Sequence, residues 1–222
     1  ELQALLESAR SPQSGPIDII YNAGVDDGVL QGAMATAVLP DRPAHCPLLV
    51  ACGRLHPQKG YPYLLEAIAK VKQQLPIQLW ILGEGSLRST LERQIETLGL
   101  TDTVRLLGFQ ANPYQYMAAA DVFVLSSLYE GFGNVIVEAM ACGVPVVATD
   151  CPHGPAEILE HGKSGLLAPP GDADALAQQI LTFLENPSLR ETLVRQGLVR
   201  SQAFQASNIA ANYAQIFRRV LA

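Results

Sequence analysis

Short apolar runs recur along this chain, at 17–21, 48–52, 77–82, 104–107, 122–125 and 144–148. Each is brief and rich in large aliphatic residues, the pattern of a buried strand. The stretches between them place apolar residues at helical spacing, such as Leu64, Leu65, Ile68 and Val71, or Val135, Ile136, Ala139 and Met140. Strand and helix therefore alternate, which predicts one α/β domain over 1–222, a parallel sheet covered by helices. Punctuation adds detail. Asn112-Pro113 predicts an N-cap with proline at the first helical position. Asp172 predicts the start of a helix carrying Leu176, Ile180 and Leu184 that stops before Pro187. Ser188-x-x-Glu191 predicts a capping box for the next helix. At the ends, 1–16 is expected to be an interdomain helix and linker, and 205–222 a C-terminal helix.

Two loops concentrate the chemistry. The run at 122–125 leads into Glu130-Gly-Phe-Gly-Asn-Val-Ile-Val-Glu138. Gly131 and Gly133 flank Phe132, so the backbone can turn tightly and a ligand can approach its N–H groups. The first amides of the following helix, with its dipole, then point into that mouth. Glu130 lies in the loop and Glu138 about one turn inside the helix, where side chains lean back toward the N-terminus. Two carboxylates with unpaired amides suit hydroxyls and phosphates together, as in a nucleotide sugar. A Gly-rich turn opening a helix is common in α/β domains, so a second motif is needed to give it meaning. Gly53-Arg54-Leu-His-Pro-Gln-Lys59-Gly60 supplies it, directly after the run at 48–52. Arg54 and Lys59 are thus expected at the carboxyl end of a parallel strand, the edge where open α/β sheets bind ligands. A planar guanidinium fork and a compact ammonium there would clamp a diphosphate.

Together these residues resemble the retaining GT-B glycosyltransferases of the group 1, family 4 type, which include glycogen and sucrose synthases and many bacterial lipopolysaccharide and glycolipid transferases. Gly53-Arg54-x4-Lys59-Gly60 matches that family's diphosphate loop, and Glu130-x7-Glu138 its two-glutamate motif. Ala139-Met-Ala-Cys-Gly-Val-Pro-Val-Val-Ala-Thr149 and Gly162-Lys-Ser-Gly-Leu-Leu-Ala-Pro-Pro-Gly-Asp172 follow its usual continuation. Tyr21-Asn22-Ala-Gly-Val-Asp26 is similar to its Asn-Pro-x-x-Asp segment, with Ala23 where proline is commoner. The resemblance implies a Rossmann-like parallel sheet with helices on both faces, the C-terminal, donor-binding half of a GT-B fold. It implies that Arg54 and Lys59 hold the donor diphosphate and, with Glu130 on the transferred sugar, form the catalytic set. Glu138 would take the ribose hydroxyls, while Gly131, Phe132, Gly133, Asn134 and Val135 would meet sugar and phosphate. Gly53, Gly83 and Phe109 complete the expected donor site, Gly83 chiefly by letting backbones approach and Phe109 by packing on the base. The acceptor-binding N-terminal domain would be missing from this chain, leaving a donor-binding unit inactive alone. UDP is the nucleotide expected, and no cofactor is required.

Other classes fare less well. A non-catalytic nucleotide-sugar-binding or regulatory subunit is the main alternative, distinguished by whether an acceptor domain is encoded in frame upstream. A dinucleotide oxidoreductase is disfavoured because Gly83-x-Gly85 lacks its third glycine, Arg88 standing there. The paired glutamates do not suit a glycosidase, since cations placed for a diphosphate imply a sugar leaving from phosphate. His45, His56, His153 and His161 are scattered, and Cys46, Cys52, Cys142 and Cys151 form no CxxC pair, so no metal site is expected. His153 alone sits in a loop, Asp150-Cys-Pro-His-Gly-Pro155, that could face the donor. With 15 basic and 21 acidic residues the net charge is −6, which together with the lack of an aromatic–basic platform argues against nucleic acid. From Pro187 onward the balance reverses: Arg190, Arg195, Arg200, Arg218 and Arg219 face the single acid Glu191. That suggests solvated helix faces or, alternatively, a peripheral contact with anionic lipid or a partner domain. The four cysteines fit a reducing cytoplasm.

Overall fold

A computed structural model describes residues 18–35, 39 and 46–221. In chain order the elements are α1 (Asp27–Met34), β1 (Leu48–Cys52), α2 (Tyr61–Lys72), β2 (Gln78–Leu82), α3 (Arg88–Thr97), β3 (Val104–Gly108), α4 (Tyr114–Ala118) and β4 (Val122–Leu125). They continue with α5 (Asn134–Ala141), β5 (Val146–Thr149), α6 (Pro155–Ile158), β6 (Leu166–Ala168), α7 (Ala173–Glu185), α8 (Pro187–Ser201) and α9 (Ala206–Leu221). The six strands form one sheet in the order β3-β2-β1-β4-β5-β6, every neighbouring pair parallel.

Because strand side chains alternate between faces, one strand feeds two cores. Leu49 and Ala51 of β1 pack with Leu64, Leu65 and Ile68 of α2 and with Leu176, Ile180 and Phe183 of α7. Leu48 and Val50 join the opposite layer, with Val29, Met117, Ile136, Val137 and Met140. Helices therefore cover both faces, the arrangement expected of a Rossmann-like sheet. Each such aliphatic or aromatic side chain, when fully buried, contributes about 1.5–3 kcal/mol.

The strand set differs from the expected one at both ends. Residues 18–21 are irregular, and the chain there makes only an isolated bridge, Val25 to Gln205, so the run at 17–21 is not a strand over its described part. Leu166–Ala168 supplies the sixth strand instead, too short to stand out between Gly165 and Pro169. Capping is also corrected in two places. Helix α8 begins at Pro187 with no side-chain cap, so Ser188 lies within its first turn and cannot open a capping box. Asn186 holds the cap position, but its Nδ2 donates back to Thr182 O at 2.8 Å, serving the preceding helix. Asp172 caps α7 as expected, Oδ1 accepting from Ala175 N at 2.9 Å. Helix α4 starts at Tyr114 with Pro113 in the cap position and no side-chain cap, so the expected Asn112 N-cap with proline at the first helical position is displaced by one residue; Asn112 Oδ1 still accepts from Tyr114 N at 3.2 Å, before the helix proper. The expected 1–16 helix lies outside the described residues.

Helix α9 leaves the body of the domain. Its apolar stripe goes from 6 % exposure at Ile209 to 48 % at Tyr213, 60 % at Phe217 and 74 % at Val220. Arg219 pairs with Asp18. Arg200 is no surface cation: its guanidinium donates to the carbonyls of Glu157 and Ile158, each at 3.1 Å, and stacks on Phe204. Among the described residues no helix is long and apolar enough to cross a membrane.

Candidate functional site

The strand order reverses between β1 and β4, and the loops leaving their carboxyl ends diverge to opposite faces, opening a crevice between them. Both loops carry the residues singled out by sequence. After β1 the chain passes through Gly53 and Arg54, a 3-10 turn at Pro57–Lys59 and Gly60 into α2. After β4 it runs from Ser126 to Gly133 and into α5.

These loops are laced together. Ser126 Oγ donates to Lys59 O at 2.8 Å, Leu128 N to Gln58 O at 2.8 Å, and Gln58 Nε2 to Tyr129 O at 2.9 Å. Across the same seam Lys59 Nζ donates to Glu130 Oε1 at 2.6 Å, their side chains only 17 % and 8 % exposed. Ser127 Oγ donates to the same Oε1 at 2.6 Å. Behind it Thr149 Oγ1, on β5, donates to Ser127 O at 2.5 Å. On the other side the buried Tyr61 hydroxyl donates to Gly53 O at 3.1 Å, fixing the start of the basic loop.

Glu138 completes the crevice from α5. Burial first, and the neighbouring Asp26 charge second, push its carboxyl up to about 7. Cys52 ends β1 between the two charge types. Burial and then Glu138 push its thiol up to about 11, while Lys59 opposes the shift. Lys59, Glu130 and Glu138 therefore surround one strand end. Arg54 is exposed in the same loop and forms no ion pair among the described residues.

The remaining predicted residues divide. Gly133 has φ 99° and precedes α5 with no side-chain cap, so the first amides of that helix, at Asn134 and Val135, are unclaimed by any cap. The Phe132 ring packs on Tyr21 and Phe204, centroids at 5.9 and 5.7 Å, and so serves as an anchor for the loop. A β-carbon on Gly83 would lie 2.1 Å from Gly53 O, so this glycine is explained by backbone approach. Phe109 is 78 % exposed beyond β3, on the same sheet edge. Exposed His153, with φ 64°, lies in the loop after β5; Glu130 N donates to Pro152 O there at 3.2 Å. Sequence reasoning passed over Ser127 and Tyr61, and quoted Thr149 and Asp26 within motifs without giving them a part in the site. The signal for two of them was present: Ser126-Ser127 ends a wholly apolar run, and Thr149 ends another.

Residues 46–186 match the family model described as Glycosyl transferases group 1. The chain belongs to that family. Curated relatives of this chain include the N-acetylgalactosamine-N,N'-diacetylbacillosaminyl-diphospho-undecaprenol 4-alpha-N-acetylgalactosaminyltransferase of Campylobacter jejuni, 36 % identical over 193 residues. That alignment covers 87 % of this chain and 51 % of the relative. The lipopolysaccharide core biosynthesis glycosyltransferase LpsE of Rhizobium meliloti is 38 % identical over 157 residues, 71 % of this chain and 45 % of LpsE. Among solved structures, HepE of Anabaena in complex with UDP and glucose superposes with a TM-score of 0.73 at 34 % identity, covering 79 % of this chain and 49 % of HepE. Sucrose-phosphate synthase of Thermosynechococcus elongatus gives 0.76 at 31 % identity, over 99 % of this chain and 56 % of that protein. The group 1 chain thus spans about half the length of the curated relatives it matches.

Proposed function

We propose that this chain is the donor-binding part of a retaining glycosyltransferase that moves a sugar from a nucleoside diphosphate, UDP foremost, to a glycan or lipid-linked acceptor. The observation that carries this is the 2.6 Å contact of Lys59 with Glu130 at the sheet's switch point, with Glu138 alongside. Breaking the anomeric bond leaves charge on the departing diphosphate. A fixed cation aimed at that charge lowers the barrier without a proton donor, and such preorganised electrostatics is often the largest catalytic term. Lys59 and Arg54 take this role. Glu130 contacts hydroxyls of the transferred sugar, Glu138 those of the ribose, and the uncapped start of α5 meets phosphate and sugar. Phe109 packs on the base. The complex of HepE with UDP and glucose supports UDP as the first nucleotide to try. The acceptor would be bound by a separate domain, in keeping with relatives about twice as long.

Calorimetry with a panel of nucleotides and nucleotide sugars tests the reading. Binding of UDP or a UDP-sugar, weakened by Lys59→Ala, is the expected result. Failure of every nucleoside diphosphate to bind would overturn it, and transfer to added acceptor by this chain alone at ordinary enzymatic rates would overturn the division of labour.

A further inference from the structure

Ser127 has no place in the donor contacts assigned above, yet it sits at the floor of the crevice. It lies two residues past the end of β4, its accessibility is zero, and its hydroxyl proton goes to Glu130 Oε1 at 2.6 Å. The same oxygen accepts from Lys59 Nζ at 2.6 Å. Oε1 is thus engaged twice, once by a cation and once by a buried hydroxyl, whereas Oε2 accepts no hydrogen bond from the described residues. A buried hydroxyl that needed only a partner could use a backbone carbonyl, as Ser126 does with Lys59 O. Ser127 instead spends its proton on the acid of the crevice. Its own backbone is pinned from behind by the buried Thr149 hydroxyl at 2.5 Å, so the donor has a fixed origin.

We propose that Ser127 is a positioning residue for the sugar transfer. It holds one Glu130 rotamer, keeping Oε1 on Lys59 and turning Oε2 toward the hydroxyls of the donor sugar. The proposal rests on the assignment of Glu130 as a donor contact. With the hydroxyl removed, Oε1 keeps only the ammonium of a flexible lysine. The carboxylate then turns about its own torsions and carries the lysine head with it, away from the departing diphosphate. Displacements of about 1 Å in such a constellation cost about a hundred-fold in rate.

The test is a double-mutant cycle in the full-length enzyme, with Ser127→Ala, Glu130→Gln and the double variant, reading kcat, donor KM and melting temperature. Ser127→Ala should lower kcat by about ten-fold or more, because a misplaced group acts on the transition state. Donor KM should move by less than about three-fold and the melting temperature by less than about 5 °C. Ser127→Cys, which restores a weak donor on a somewhat larger atom, should give a kcat between those of Ser127→Ala and the wild type. In the Glu130→Gln background the same Ser127→Ala change should cost less than about three-fold, since its target is already altered. Wild-type kcat in Ser127→Ala, or an equal loss in both backgrounds, would overturn the proposal while leaving the donor assignment standing. Unchanged turnover in Glu130→Gln alone would sink that assignment, and the role of Ser127 with it.

Discussion

The backbone oxygen of Ser126 lies 2.0 Å from where a β-carbon on Gly60 would stand. Gly60 also has φ 61°, a left-handed conformation that carries a steric cost in residues with a β-carbon. The two effects can be separated, because Gly99 has nearly the same φ, 64°, with nothing within 4 Å of its virtual β-carbon. Gly99→Ala should therefore cost about 1–2 kcal/mol from backbone strain alone. Gly60→Ala should cost more than about 3 kcal/mol, since backbone would have to move as well. Chemical denaturation of both variants measures the difference, and equal losses would mean that the loops part easily.

Lys59→Ala removes the cation proposed for the departing diphosphate. By analogy with the loss of one oxyanion donor, about 2.7–4 kcal/mol of barrier, turnover of the full-length enzyme should fall at least a hundred-fold. Steady-state assay decides it; a rate within a few-fold of wild type removes Lys59 from the chemistry. The variant should also be less stable by about 3 kcal/mol, because Glu130 stays buried without its counter-ion.

Glu138 makes stability depend on pH. Its carboxyl holds a proton to about 7 in the folded chain, against an ordinary value of 4.5. Between those limits the folded state binds more protons than the unfolded, so stability falls as pH rises through that window. Glu138→Gln should abolish this slope. Relative to that variant, the wild type should lose at most about 3 kcal/mol between pH 4.5 and 7 and stay level above. Denaturant midpoints taken across the range check both sign and size; parallel profiles would show that the group titrates normally.

Asp172 gives a simpler case. Its side chain accepts from Ala175 N at 2.9 Å at the head of α7. Asp172→Ala should lower stability by about 1 kcal/mol, as loss of an N-cap commonly does, and leave nucleotide binding untouched.

Periodicity located the interior well, because strands and helices buried on one or both faces repeat apolar residues at fixed spacing. Five strand runs, the Asp172 cap and the placement of both charged loops at strand ends were legible for that reason. What was hidden has physical causes. Among the described residues Leu166–Ala168 is paired along one side, to β5, so three apolar residues suffice. Ser188 carries the capping pattern, but Pro187 starts the helix one residue too early for it to act. Thr149 meets Ser127 O, and Asp26 meets Glu138, only through neighbours distant in sequence, which a local pattern can flag as polar run ends but cannot pair. Phe132 shows the converse: its flanking glycines mark the loop, yet the ring itself is spent on Tyr21 and Phe204.

The seam joining the basic loop to the acidic one has a thermodynamic consequence. Its bonds, from Ser126, Leu128, Gln58 and Lys59, run from one loop to the other within the chain and so belong to the fold itself. Immobilising those segments is therefore settled during folding, and an incoming guest forfeits little further chain entropy on arrival. Recognition can then proceed by fit to an existing mould, leaving more of each contact's free energy available to discriminate one guest from another.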